Sequence, residues 1–284
     1  MFKKIKNYLF PINLRGTDLS GHDLRNQYYA YVDLRDANLS AANLMGADLS
    51  NSNLKGANLS RADLRGANLE GALLDHATLS QARLNKAQLR KASCYQTQFK
   101  EADLTETDCR KTIFREADFS LAFLDKANFS GAQCKQVNFT GARLREVINA
   151  KTLFDEKCSF VGADLSGIQL KKMDMHNIDF TDVNFSHARL QNIDLSHAIL
   201  LRAQLSYASL REANLQHANL QSADLSDADC TGADMQYAHL QDTNLTRTNF
   251  YKAKTEFVNW QNAHFEYTKM SDGVVRTGKE IDIQ

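Results

Sequence analysis

The chain has 284 residues, 43% of them apolar and 24% charged, and 34 Lys and Arg balance 34 Asp and Glu. That composition excludes a disordered chain. Zero net charge argues against a general nucleic-acid binder, which is strongly basic, and equally against a polyanion that imitates DNA.

No apolar run reaches about 18 residues, so no helical membrane span is expected. Five cysteines without paired spacing point to a reducing compartment, and the cytosol is the expected location. From the N-terminus, Phe2, Ile5, Leu9 and Phe10 alternate with Lys3, Lys4 and Lys6, and Pro11 ends the segment. Residues 1–11 read as a short amphipathic N-terminal cap of the kind repeat arrays need, with a weak membrane-surface contact as the alternative. They lack the long apolar core and cleavage site of a secretory signal.

From Leu14 a period of five organises the chain. Every fifth residue up to Leu144, 27 positions in all, is Leu, Phe, Tyr or Cys. A second run from Leu165 to Met270 has 22 such positions, of which only Thr255 is neither large and apolar nor Cys. Two residues before this centre, 30 of the 49 positions are Ala, and Asp or Asn predominates just before it, as in Ala37-Asn38-Leu39. On an α-helix five residues advance about 500°, which would smear the centres over every face. On a flat strand an odd period alternates them between faces. A chain that turns about a quarter circle every five residues buries both the centre and the small residue, and leaves three positions outward. Four units then make a 20-residue coil, stacked at roughly 4.8 Å.

The Ala-Asp/Asn-Leu-x-x run resembles the pentapeptide repeat proteins over about residues 12 to 270. The resemblance implies an all-β, right-handed quadrilateral β-helix of about 13 coils, a rod on the order of 60 Å long. Centres before residue 145 end in 4 or 9, and those after 164 end in 5 or 0. One residue is therefore inserted between Phe154 and Phe160, within 155–159. It reads as a bulge or as a hinge or binding loop in a single repeat domain, since about one extra residue leaves no room for a linker. Residues 271–284 leave the repeat, and Gly273 and Gly278 disfavour a helix, so a short C-terminal cap or a frayed tail is expected.

No phosphate loop, nucleophile elbow or metal-ligand spacing is present, and the recurring Asp belongs to the scaffold. Cys94, Cys109, Cys134 and Cys230 are centres and Cys158 is a small inward position, so all five read as core hydrophobes. No cofactor and no enzymatic activity are expected. The outward positions carry what information remains. Arg90, Lys91, Arg110, Lys111, Lys151, Lys171, Lys172 and Arg211 fall on one side, opposed at those positions by Glu70 and Glu212. They are either a solvated charged face or a basic strip for an acidic partner. His197, His217, Tyr237 and Phe257 recur at intervals of 20 on another side, as a partner contact or as a ladder that stabilises the coils.

Two functional readings follow. The first is a non-enzymatic rigid scaffold, monomeric, that presents its faces to a protein partner. The alternative, implied by the resemblance, is protection of DNA gyrase by duplex mimicry. Members of that kind are acidic and pair through a C-terminal helix, and this sequence departs on both counts.

Overall fold

A computed structural model describes residues 12–278. The N-terminal segment read as a cap therefore lies outside the described residues. The chain divides into two compact units, Met1–Phe154 and Asp155–Gln284. The division falls where the period of five slips by one residue.

Each unit is a repeat β-helix. In the first, the residue before each centre pairs in parallel with the one 20 positions on, from Asn13 with Asp33 to Asn128 with Ile148. The next rung, Gln133 with Leu153, joins two short strands, β1 (Gln133–Cys134) and β2 (Leu153–Phe154). In the second unit the same ladder runs from Ser159 with Asp179 to Asn249 with Lys269.

Five backbone N–H groups per repeat have to be satisfied, and the repeat satisfies them in a fixed way. Leu34 N donates to Asn53 O at 2.8 Å and Asp36 N to Lys55 O at 3.0 Å, both in the next coil. Asp33 N donates to Ile12 O in the previous coil at 2.9 Å, and Ala37 N closes the turn onto Leu34 O at 3.1 Å. One N–H remains, on the residue after the centre, and it turns to a side chain. Ser40 N donates to Asn38 Oδ1 at 3.2 Å, and Ser120 N to Asp118 Oδ1 at 2.9 Å. The preference for Asp and Asn before the centre follows from this Asx turn.

Most centres and small residues are buried in both units. Phe99, Phe119 and Phe139 stack down one side at 4.7 and 5.4 Å, within 5° of parallel. Thr97, Thr107 and Thr112 replace Ala at the small position without leaving an orphaned hydroxyl. Each Oγ1 donates to the carbonyl of the centre 23 residues earlier, at 2.8, 2.8 and 2.6 Å.

The second unit ends in an antiparallel hairpin of β3 (Phe265–Lys269) and β4 (Val275–Gly278). Strand β3 pairs on its other side with the repeat through Asn249 and Lys269, so β4 covers the edge that the last coil leaves open. Trp260 packs edge-on to Phe250 at 5.6 Å and against Phe265 at 5.7 Å beneath it. No helix occurs among the described residues.

Candidate interaction surfaces

Each repeat turns through a residue with positive φ, two after the centre. Glycine takes this place at Gly66 and Gly162, but most occupants carry side chains, with φ from 52° at Gln96 to 63° at Tyr31. Because coils repeat every 20 residues, these side chains form ladders up the corners. Arg61 Nε donates to Gln81 Oε1, and Gln81 Nε2 donates to Glu101 Oε2, each at 2.8 Å.

The aromatic column of the second unit is such a ladder. His197 and His217 stack with centroids 4.8 Å apart, His217 and Tyr237 at 4.8 Å, and Tyr237 and Phe257 at 4.9 Å, with interplanar angles no larger than 12°. Phe257, at the end of the column, is 74% exposed. A shorter stack, His187 on Tyr207 at 5.0 Å, stands ten residues out of phase and so on the opposite corner.

The basic residues divide between the two units. Arg90, Lys91, Arg110, Lys111 and Lys151 occupy one corner of the first unit, and Lys171, Lys172 and Arg211 one corner of the second. All are exposed except Arg90, which is half-buried. Part of this charge is answered, by Glu70 as the turn positions indicated and also by Asp108 and Asp229, which lie before centres and outside those positions. Arg110 Nε donates to Asp108 Oδ1 at 2.8 Å, and Lys91 Nζ lies 3.7 Å from Glu70. Arg211 Nη1 reaches Asp229 at 3.1 Å. Among the described residues, Arg90, Lys111, Lys151, Lys171 and Lys172 have no carboxylate within ion-pair distance.

All five cysteines are buried. Burial pushes the thiols of Cys94, Cys109 and Cys230 up, away from the reactive thiolate. Among the described residues no three His, Cys, Asp or Glu side chains group as a metal site would need, and no helix is long and apolar enough to cross a membrane.

A feature of the first unit escapes a reading restricted to the turn positions. On one face the residues before successive centres are Leu73, Ser93, Ile113, Gln133 and Leu153, five departures from Asx in a row, while other faces depart in part, as at Tyr28, Thr78, Arg83, Phe123 and Ile148. Aliphatic residues recurring at intervals of 40, at Leu73, Ile113 and Leu153, were a signal available in the sequence.

The family description "Pentapeptide repeats (8 copies)" matches overlapping segments that together run over 12–146 and 158–254. No protein of curated function matches the sequence significantly. Among solved structures, HetL of the cyanobacterium Nostoc sp., a pentapeptide repeat protein involved in heterocyst differentiation regulation, shares 24% identity over 94% of each chain, with a TM-score of 0.31. A pentapeptide repeat protein of the Arabidopsis thaliana thylakoid lumen shares 36% identity over 34% of this chain and 66% of its own, with a TM-score of 0.33. QnrB1, a plasmid-mediated fluoroquinolone resistance protein, shares 20% over 80% of this chain and 91% of its own, at a TM-score of 0.26. With the five-residue ladder and the family match extending over most of its length, the chain belongs to the pentapeptide repeat family.

Proposed function

We propose that this protein is a non-enzymatic scaffold whose outward ladders dock a protein partner. Its units are right-handed, four-sided coils, about 13 in all, built of 20 residues each. The observation that carries this reading is the four-ring column His197, His217, Tyr237 and Phe257. Aromatic rings held on exposed turns at 4.8 to 4.9 Å are preorganised, so a partner that stacks on them has little side-chain entropy left to freeze. Aromatic anchors of this kind dominate protein interfaces.

The chain acts as a monomer, and light scattering on dilution tests that directly. The function is tested by affinity capture with native chain and with a His217→Ser, Tyr237→Ser, Phe257→Ser variant. Serine already occupies the same backbone conformation at Ser222, where φ is 57°, so the variant should fold. The partner held by the native chain should be lost from the variant. Retention of the same partner by the variant would remove the ladder from the interface. The exposed cations Arg110, Lys111, Lys171 and Lys172, replaced together by serine, test the basic corners in the same assay. Gyrase protection draws no support from these ladders, which mix both signs of charge, as in Arg202 on Asp182 and Arg247 on Asp227 at 2.6 Å. A supercoiling assay with and without a gyrase drug distinguishes it.

A further inference from the structure

Residues other than Asp or Asn stand before centres on several faces of the first unit, as at Tyr28, Arg83, Phe123 and Ile148, but one face sets three aliphatic side chains in a single column. Before most centres an Asp or Asn accepts the otherwise unmatched N–H of the turn, and often also bonds to its counterpart one coil away, as Asn138 Nδ2 does to Asp118 Oδ1 at 2.9 Å. At Leu73, Ile113 and Leu153 an aliphatic side chain stands in that place. It neither accepts the bond nor gains burial, since the three residues are 37%, 38% and 52% exposed. They lie in one column, two coils apart, with Ser93 and Gln133 between them. At Ser93 the missing acceptor is replaced from the coil below, where Asp75 Oδ1 takes both the Ser93 hydroxyl and, at 3.2 Å, the Tyr95 N–H. Three exposed aliphatic side chains in one column, at positions where the repeat prefers Asp or Asn, are what a binding surface looks like.

Charge along this column is one-sided. The corner that leads into it carries Arg90, Lys91, Arg110, Lys111 and Lys151, of which Lys91 is answered by Glu70 and Arg110 by Asp108. The corner that leaves it is balanced, with Arg115 beside Glu116 at 3.5 Å, and Asp75 held by Lys55 at 2.9 Å. The face thus pairs a row of exposed aliphatic groups with a cationic edge.

We infer that this face of the first unit docks an acidic amphipathic α-helix of a protein partner. The spacing selects the helix. Leu73, Ile113 and Leu153 recur every two coils, about 9.6 Å, while one helical heptad rises about 10.5 Å. Leucines seven residues apart therefore meet the three positions with a drift of about 2 Å over the whole column. An extended strand places same-face side chains about 6.8 Å apart and falls out of step at the second contact. Glutamates flanking the helix's apolar row meet the cationic edge, which supplies register and a salt-dependent association rate. This surface is separate from the aromatic ladder, so either can fail alone.

The test uses the full chain and a fluorescein-labelled, three-heptad peptide with leucine at every seventh position flanked by glutamates, read by fluorescence anisotropy. The native chain should bind it, with affinity falling as salt rises. Leu73→Asn, Ile113→Asn and Leu153→Asn together should weaken binding by about tenfold or more. Asn is the residue the repeat itself prefers, so the thermal midpoint should hold or rise. Lys91→Ser, Lys111→Ser and Lys151→Ser should weaken binding and flatten its salt dependence. No binding by the native chain, equal binding by the triple Asn variant, or equal binding of a peptide with the same residues scrambled would overturn the proposal. So would self-association of the native chain that the triple Asn variant abolishes, since the occupant would then be a second copy.

Discussion

The residue two after each centre holds a left-handed backbone that costs L-amino acids other than Gly, Asn and Asp roughly 1–2 kcal/mol. Lys126, Leu121 and Tyr207 nevertheless adopt it, at φ 59°, 59° and 58°. The inter-coil hydrogen bond donated by that residue, such as Lys126 N to Arg145 O at 2.9 Å, offsets the strain. Branching at Cβ would raise the cost further, and no Val, Ile or Thr stands among these turn residues. Ser222, exposed and at φ 57°, is a clean place to measure this. Ser222→Val should be less stable than Ser222→Gly by about 1–2 kcal/mol in urea unfolding. Equal midpoints would show that the turn relaxes to another geometry. Inward positions obey a different constraint. Leu124 is fully buried, so Leu124→Asp should cost several kcal/mol through an unpaired buried charge. Leu124→Phe should be milder, at about 1–3 kcal/mol of overpacking, and calorimetry separates the two.

At the scale of one repeat, the Asx turn ties side chain and backbone together. Asn138 accepts the Thr140 N–H at 3.0 Å and donates to Asp118 at 2.9 Å, so one amide serves its own turn and the coil below. Asn138→Ala should cost about 1–2 kcal/mol, because it leaves a turn N–H without its acceptor. Asn138→Asp should cost less, since it keeps the acceptor and loses only the donor, and it brings its own charge near that of Asp118. Denaturant midpoints of the two variants decide the order. The buried threonines show the same economy: Thr248 Oγ1 reaches Leu225 O at 2.8 Å, so a hydroxyl is admitted where alanine is usual.

Over the whole molecule, stability should follow the carboxylates. A guanidinium hydrogen bond from Arg65 holds the Asp63 carboxyl below its ordinary value, as Arg35 does for Asp33 and Arg247 for Asp227. Groups depressed in this way stabilise the fold above the unfolded carboxylate value of about 3.9, and the contribution is lost as pH falls through their folded values. The thermal midpoint should therefore drop below about pH 4, and Asp63→Asn should make that drop shallower. The raised thiols of Cys94, Cys109 and Cys230 act at the other end. Their contribution is complete below the unfolded thiol value of about 8.5 and is lost as pH rises past it. His176, raised by its bond to Asp174, likewise loses its contribution above about pH 6.5, though both partners are exposed and the effect is small. Thermal scans from pH 3 to pH 10 test all of these together.

The period of five, with Ala two before each Leu or Phe, determined the inward and outward positions and the 20-residue repeat. A side chain's direction in a uniform coil depends only on its place in the repeat, and this chain marks that place at 48 of 49 centres. The stacking of His197, His217, Tyr237 and Phe257 followed from the same arithmetic. Tertiary structure decided what arithmetic does not reach. Arg110 turns back to Asp108 in its own coil and Arg211 to Asp229 in the next, because a long flexible side chain goes to whichever carboxylate lies within reach. It also decided that residues 275–278 close the last coil as an edge strand, since a hairpin partner depends on which ladder is left unpaired. The column of Leu73, Ile113 and Leu153 acquires its meaning only in three dimensions. Residues 40 apart become a single row, with a cationic edge on one side, once the coil has closed.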